Sequence, residues 1–330
     1  MRRALAVLGV LVALARPAAA QESHLLVIVG LSGSPDNADL FHRWASALVD
    51  AARSTHHLAD ESIAYLGEDP ARDPARIDGR STREGITDAA ARLAARARPG
   101  DRVFIVLIGH GGASEGEARL NLPGLDLTAK EFAAIAGRFA GQVVTFVNTA
   151  SASGGFVPAI SGRDRTVMAA TSGGGERNQT RFGEYFVESL AGADADLDKD
   201  GRVSMAEAFT WAQRRVAESY ARDGQLQTEH ALIDDDGDGK GTGTPGQPGS
   251  DGALARTLFL SAAGEPRAAG ATADPALRAL YDERKALEDR IAALKASKAK
   301  MDAAGYEREL EEALVALARK SREIREREKR

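Results

Sequence analysis

The stretch DLDKDGRVSMAE, residues 196–207, places oxygen-bearing side chains at regular positions around a glycine. Acidic residues stand at its first, third, fifth and twelfth positions, with Gly201 at the sixth and Ser204 at the ninth. Ca²⁺ takes about six to eight hard oxygen ligands, and a glycine permits the sharp turn that brings them together. The stretch matches the EF-hand calcium loop, so we expect Ca²⁺ as a cofactor, although a solvated acidic turn is the alternative. The expected ligands are Asp196, Asp198, Asp200, the carbonyl of Arg202, Ser204 and Glu207.

A second acidic run begins with the same rhythm. Asp234, Asp236 and Asp238 repeat the start of the pattern, but Pro245 stands at the twelfth position, where a carboxylate is needed. The run belongs to a segment rich in Gly, Asp and Pro over 234–250, which offers little for a core to pack against. It predicts either an irregular second calcium site or an acidic solvated loop.

Two apolar runs end in residues that suggest a site. VFIVLIG is followed by His110, Gly111 and Gly112, and QVVTFV leads into NTASASGG over 148–155. The carboxyl ends of neighbouring parallel strands lie at one edge of a sheet, where ligands tend to bind. Small residues there let a substrate backbone come close. We therefore expect both loops to border one cleft.

The elements that must position these loops alternate between strand and helix. Continuous apolar runs, typical of strands buried on both faces, are separated by segments with apolar residues at helical spacing. This alternation predicts one α/β domain over 21–263, with a mostly parallel sheet and helices on both faces. The first helix has Asp36 or Asn37 as its expected N-cap. The predicted strands are 24–30, 62–67, 102–109, 142–147, 166–172 and 253–261, and the predicted helices are 36–55, 81–97, 128–139, 181–190 and 205–221.

The last part of the chain, 274–330, follows a linker over 264–273 and consists mainly of Ala, Glu, Lys, Arg and Leu. Its apolar residues form two stripes with three- and four-residue spacing on either side of Gly305. Two helices folded back as an antiparallel hairpin and a dimeric coiled coil fit this pattern equally well, and a single solvated charged helix is the alternative. The segment is therefore a candidate surface for a homodimer or a partner protein.

The amino terminus indicates export. A basic start, an apolar run over 4–15 and the small residues Ala18 and Ala20 predict a secretory signal peptide over 1–20. The apolar run is shorter than the ~20 residues that a spanning helix needs, so no membrane span is expected. The location predicted is periplasmic or secreted. The chain has no cysteine, which excludes disulfides and thiol chemistry. Its formal net charge of −5 gives no basic field for nucleic acid.

Together the two strand-end motifs resemble those of the caspase and legumain-like cysteine peptidases. FIVLIGHGG is similar to their hydrophobic strand followed by His-Gly, and TASASG to their Asp/Glu-Ala-Cys-x-Ser-Gly. The resemblance covers residues 24–262 and implies a caspase-like sheet. The calcium loop and helical tail are additions that resemble exported bacterial legumain-like proteins.

The resemblance also implies roles. His110 would be the general base, Ser151 would occupy the position of the nucleophilic cysteine, and the amides around Gly111 and Ser151 would be oxyanion donors. The residues of the matched motifs that would line the cleft are Gly111, Gly112, Ala150, Ser153 and Gly154.

The chain departs from the family at its nucleophile. A serine hydroxyl is far less acidic than a thiol and attacks only when an oriented base lies within hydrogen-bond reach. The acidic residue of the motif is also replaced, by Thr149. The departure favours a catalytically silent relative that binds a peptide or protein in the cleft. A hydrolase using Ser151 with His110, and an unrelated α/β protein, are the alternatives.

Overall fold

The computed structural model describes residues 21–114, 116–192, 194–246, 251–261, 275–297 and 301–328. The predicted signal peptide over 1–20 and the predicted linker over 264–273 lie outside the described residues.

The strands of the described residues form two sheets. They are β1 (Ser23–Val29), β2 (Ile63–Gly67), β3 (Gly79–Arg80), β4 (Arg102–Ile108), β5 (Gly111–Ser114), β6 (Glu117–Leu120), β7 (Leu127–Thr128), β8 (Val143–Asn148), β9 (Arg165–Ala169) and β10 (Leu232–Asp234). The large sheet has the order β10-β9-β8-β4-β1-β2-β3, and β5, β6 and β7 form a small antiparallel sheet. All neighbours in the large sheet are parallel except β10, which runs antiparallel to β9. The predicted α/β class with a mostly parallel sheet is confirmed.

Helices cover both faces of the large sheet. They are α1 (Pro35–Ser54), α2 (Arg83–Arg96), α3 (Ala129–Ala136), α4 (Phe156–Ile160), α5 (Phe182–Ala191), α6 (Met205–Arg222), α7 (Pro275–Ser297) and α8 (Ala303–Glu328). One core contains apolar residues of α1, α5 and α6, and the other contains those of α2, α3 and α4. Along β1, Leu25 and Val27 enter the first core while Leu26 and Ile28 enter the second. Burial on both faces explains why this strand is apolar throughout.

The first helix begins earlier than the sequence suggested. Its N-cap is Ser34, whose hydroxyl accepts a hydrogen bond from the amide of Asn37, and Pro35 follows at the first helical position. The expected cap at Asp36 or Asn37 is therefore wrong. Because the hydroxyl of Ser34 caps the helix, the side chain of Asn37 is not needed as a cap and can contact another residue.

The predicted last strand over 253–261 is also wrong. Within this segment Ala255–Thr257 form a short 3₁₀ helix, and Phe259 makes only an isolated bridge to Ser204. Leu258 and Leu260 are buried in the core of α1, α5 and α6, so packing explains their apolar character. The edge of the large sheet is taken instead by β10.

The C-terminal helices α7 and α8 pack against each other. Ile291, Leu294 and Ala313 form a small buried core between them. Lys320 near the end of α8 pairs with Glu283 near the start of α7 at 2.6 Å, so the two helices run antiparallel. No helix among the described residues has the length and apolar run needed to cross a membrane.

Candidate functional site

His110 follows β4 and is held by the loop after β1 and by the start of α1. Its Nε2 atom lies 3.1 Å from the carbonyl oxygen of Ser32 and 3.0 Å from Nδ2 of Asn37. The ring of Phe41 packs against the imidazole edge to face, at 5.2 Å between centroids. When Nε2–H donates to the Ser32 carbonyl, the ring lone pair is on Nδ1. Nδ1 is then the atom that can accept a proton.

Ser151 lies on the loop after β8, the strand next to β4. Its hydroxyl donates to the carbonyl of Gly111 and accepts from the amide of the same residue, each at 3.2 Å. The residue is only 3% exposed. Within the described part of the chain, no hydrogen bond joins Ser151 to His110. The structure therefore brings both predicted residues to one sheet edge but does not pair them.

Two glycines of these loops, Gly111 and Gly154, are required by the fold itself. A Cβ atom on Gly111 would overlap the carbonyl oxygen of Ser151, and one on Gly154 would overlap the backbone at Ser172. A Cβ atom on Gly112, in contrast, would meet only open space. Gly111 and Gly154 allow two backbone segments of the protein itself to lie close together. The sequence pattern predicted instead that these glycines make room for the backbone of a substrate.

The remaining residues of the TASASG motif are buried. Ala150 and Ser153 are fully inaccessible, and the Ser153 hydroxyl lies 3.1 Å from that of Thr171 at the end of β9. The Thr149 hydroxyl donates to the carbonyl of Leu107 at 2.8 Å. These hydrogen bonds fix the loop after β8 to β4 and to the residues that follow β9. The buried residues of the motif therefore hold Ser151 in position.

A cavity of about 520 Å³ lies at the carboxyl ends of β1 and β2, and Ser32, whose carbonyl contacts His110, is part of its lining. The amide and hydroxyl of Ser32 donate to Glu68 at 3.0 and 2.7 Å. Arg72 and Arg80 contribute positive charge to the lining, and Glu68 and Asp69 contribute negative charge. Sequence reasoning missed this cavity, because Ser32 and Glu68 lie 36 residues apart and match no motif.

The predicted calcium loop lies between α5 and α6. Ligand oxygens of Asp196, Asp198 and Glu207 lie within 4.8 Å of one another. Ser204 caps α6 with Glu207 in a capping box, and Gly201 has a left-handed φ of 86°. The sequence pattern therefore corresponds to a real convergence of carboxylates at the start of a helix.

Asp196 is the most informative residue of this loop. It is 3% exposed, and its Oδ2 atom accepts from the amide of Gly201 at 2.9 Å. Its Oδ1 atom is buried and has no hydrogen-bond partner among the residues that the structure describes. Burial raises the pKa of Asp196, and repulsion from Asp198 and Asp200 raises it further. Burial and repulsion from Asp198 likewise raise the pKa values of Asp200 and Glu207. An ionised buried carboxylate oxygen needs a cation or a donor, so this group fits a metal ion.

A side chain from α7 reaches the same loop. The Nζ atom of Lys285 lies 2.6 Å from Oδ2 of Asp198 and 3.6 Å from Oδ2 of Asp200. Sequence reasoning missed this contact, because a position 87 residues away from Asp198 carries no local signal of it.

The second acidic run also gathers its carboxylates. Ligand oxygens of Asp234, Asp236 and Asp238 lie within 4.8 Å of one another. Asp251 is buried nearby and accepts from the amides of Asp235 and Asp236 at 3.0 and 3.4 Å. Burial and repulsion from Asp236 raise the pKa of Asp251. Counting to the twelfth position, Pro245, misses this carboxylate, because Asp251 stands six residues further along the chain.

Comparison of the chain with models of protein families and with curated protein sequences returned no match.

Proposed function

We propose that this protein is an exported, calcium-binding relative of the caspase and legumain-like peptidases that binds a peptide or protein segment without hydrolysing it. The resemblance is supported by the adjacency of β4 and β8, whose following loops carry His110 and Ser151. The single observation that carries the loss of hydrolysis is the pair of hydrogen bonds between the Ser151 hydroxyl and the backbone of Gly111.

These hydrogen bonds oppose nucleophilic attack in two ways. The hydroxyl proton of Ser151 is directed to a carbonyl oxygen, which cannot act as its base. The amide of Gly111, which the resemblance makes an oxyanion donor, is already engaged by the same hydroxyl. The arrangement favours a site that keeps the positions of the peptidase residues and binds a peptide without hydrolysing it.

One observation favours a serine hydrolase as a second candidate. When Nε2–H of His110 donates to the Ser32 carbonyl, Nδ1 carries the ring lone pair and makes no hydrogen bond within the described residues. An imidazole oriented in this way is suited to act as a base if the Ser151 hydroxyl rotates away from Gly111.

Calcium is the ion that the loop over 196–207 supports best. The order of ligand types matches the EF-hand pattern, and no described residue gives the buried Oδ1 of Asp196 a hydrogen bond that would replace a cation. Hard carboxylate oxygens favour Ca²⁺ over softer metals. We assign the ion a structural role, since it would join the end of α5 to the start of α6.

Labelling with a serine-directed phosphonate tests the two candidates. The full chain and the Ser151→Ala variant are incubated with the probe and with mixed peptide substrates. We expect neither labelling nor cleavage by either protein. Labelling and cleavage that disappear in Ser151→Ala would establish the hydrolase instead. Ser151→Cys serves as a further control, because activity gained there would indicate that the rest of the catalytic site is intact.

Peptide binding is tested through the cavity at the carboxyl ends of β1 and β2. Ala38 lines this cavity, whereas Ala134 is exposed on α3. A fluorescent random peptide library is panned on the full chain, and selected peptides are measured by anisotropy. Ala38→Trp should abolish binding, and Ala134→Trp should leave it unchanged. Failure to select any peptide, or equal binding by both variants, would remove the binding role from this cavity.

A further inference from the structure

Each of the three aspartates of the calcium loop has one oxygen hydrogen-bonded to a backbone amide and a second oxygen that is not. Asp196, Asp198 and Asp200 each use one oxygen to accept a backbone amide hydrogen bond inside the loop. The second oxygen of Asp196 accepts no hydrogen bond from the described part of the chain. The second oxygens of Asp198 and Asp200 both face the ammonium group of Lys285. A lysine of α7 thus contacts two of the three aspartate oxygens that remain for a metal ion.

Arg284, the residue before Lys285 on α7, makes a second polar contact with the same loop. Arg284 donates from a terminal guanidinium nitrogen to the carbonyl of Leu197 at 3.2 Å. Its guanidinium also lies 5.1 Å from the ring centroid of Tyr281 on the same helix. Two successive cations of α7 are therefore directed at the loop whose acidic residues repel one another.

The C-terminal helix pair, α7 with α8, has a small apolar core of its own. Ile291, Leu294 and Ala313 form this core between the two helices. The contacts of Arg284 and Lys285 with the loop are polar. Breaking them exposes charged groups to water and leaves the apolar core of the helix pair intact.

We propose that Lys285 competes with Ca²⁺ for Asp198 and Asp200, so that calcium binding releases the C-terminal helix pair from the loop. This inference rests on the calcium site of the proposed function and adds its regulation. An ammonium and a divalent ion repel each other and require the same oxygens, so they cannot both occupy them. By linkage, docking of α7 weakens calcium binding by the same factor by which calcium weakens docking.

The first test measures calcium affinity by calorimetry on the full chain and on two variants. Lys285→Gln removes the competing charge and keeps much of the side chain. Arg290→Gln removes an exposed charge from the same helix and is the control. Lys285→Gln should bind Ca²⁺ at least about fivefold more tightly than the unmodified chain, the lower end of typical coupling between sites. Arg290→Gln should bind like the unmodified chain.

The second test measures the position of the helix pair. Because the chain has no cysteine, Ala217→Cys on α6 and Glu312→Cys on α8 give two unique and exposed labelling sites. Spin labels at these sites report the distance between the core and the helix pair by pulsed electron paramagnetic resonance. Calcium should shift and broaden the distance distribution. The Lys285→Gln change should produce the same shift without calcium.

The outcomes separate this inference from the site on which it rests. Absence of calcium binding in all three proteins would overturn the calcium site itself. Calcium binding with equal affinity before and after Lys285→Gln, or with an unchanged distance distribution, would overturn the competition and leave the calcium site in place.

Discussion

A Cβ atom on Gly111 would collide with the carbonyl oxygen of Ser151, so the loops after β4 and β8 are in backbone contact at the candidate site. The same added atom would lie 2.9 Å from the carbonyl oxygen of Arg119 on β6. Gly111 is enclosed by backbone from two sides, and neither side can yield by a simple side-chain rotation.

Gly111→Ala should therefore lower the free energy of unfolding by roughly 1–3 kcal/mol, the usual effect of overpacking a tight site. Gly112→Ala is the matched control, because its added methyl group would meet open space. Its effect should stay within about 0.5 kcal/mol. Urea unfolding at neutral pH measures both. Equal stabilities of the two variants would mean that the loops do not touch at Gly111.

Removal of calcium should lower the melting temperature of the full chain. A bound ion stabilises the folded state by mass action, and a chelator abolishes that contribution. Glu207→Gln should lower the melting temperature in a similar way and should also remove most of the response to added Ca²⁺. Glu311→Gln, an exposed change on α8, should respond to Ca²⁺ like the unmodified chain. Differential scanning calorimetry with and without chelator decides the matter, and identical scans would exclude a stabilising ion.

Acid should weaken the fold partly through Asp101. Burial acts to raise the pKa of Asp101, but hydrogen bonds from the amides of Arg98 and Glu22 and from the ring of His24 outweigh burial and lower it. Because the folded-state pKa is depressed, the carboxylate stabilises the fold above the ordinary carboxyl pKa. This stabilisation is lost as the pH falls through the folded-state value.

Asp101→Asn should lower the free energy of unfolding at pH 7 by roughly 1–3 kcal/mol, since it leaves buried hydrogen-bonding groups poorly matched. The variant should also lose less stability than the unmodified chain between about pH 5 and pH 2. Asp88→Asn, an exposed change on α2, should keep the original pH dependence. Denaturant titrations across this pH range provide the comparison, and parallel curves for all three proteins would contradict the role of Asp101.

Deletion of residues 274–330 should leave the α/β domain folded. The described apolar core of α7 and α8 lies between those two helices, so its loss leaves the two cores of the large sheet intact. A longer deletion from residue 252 onward is the contrasting variant, because it also removes the buried side chains of Leu258 and Leu260. Near-ultraviolet circular dichroism should show native packing for the first truncation and its loss for the second. Collapse of the shorter deletion would disprove the predicted domain boundary.

Local patterns predicted much of the fold. The strand expected over 24–30 is Ser23–Val29, because a strand buried on both faces must be apolar throughout. The strand predicted over 253–261 was wrong because its apolar run also suggested burial on both faces. Leu258 and Leu260 are buried by packing without a strand ladder, and a short apolar run does not distinguish the two cases.

The candidate site could be predicted only where its residues follow one another closely. The calcium loop is encoded within twelve residues, so its spacing is visible in the sequence. The contacts of His110 with Asn37 and of Lys285 with Asp198 join positions 73 and 87 residues apart. Such contacts depend on how helices and strands pack, and no local pattern of residue types encodes them.

Both outer strands of the large sheet are very short. β3 has two residues and β10 has three, and β10 leads directly into an acidic loop. An unpaired strand edge is a template on which another chain can add a strand and begin to aggregate. Here β3 and β10 are too short to pair with a strand of another chain, and acidic residues follow β10. The protein thus resists edge-to-edge association through its architecture, which suits a chain that has no disulfide to limit unfolding.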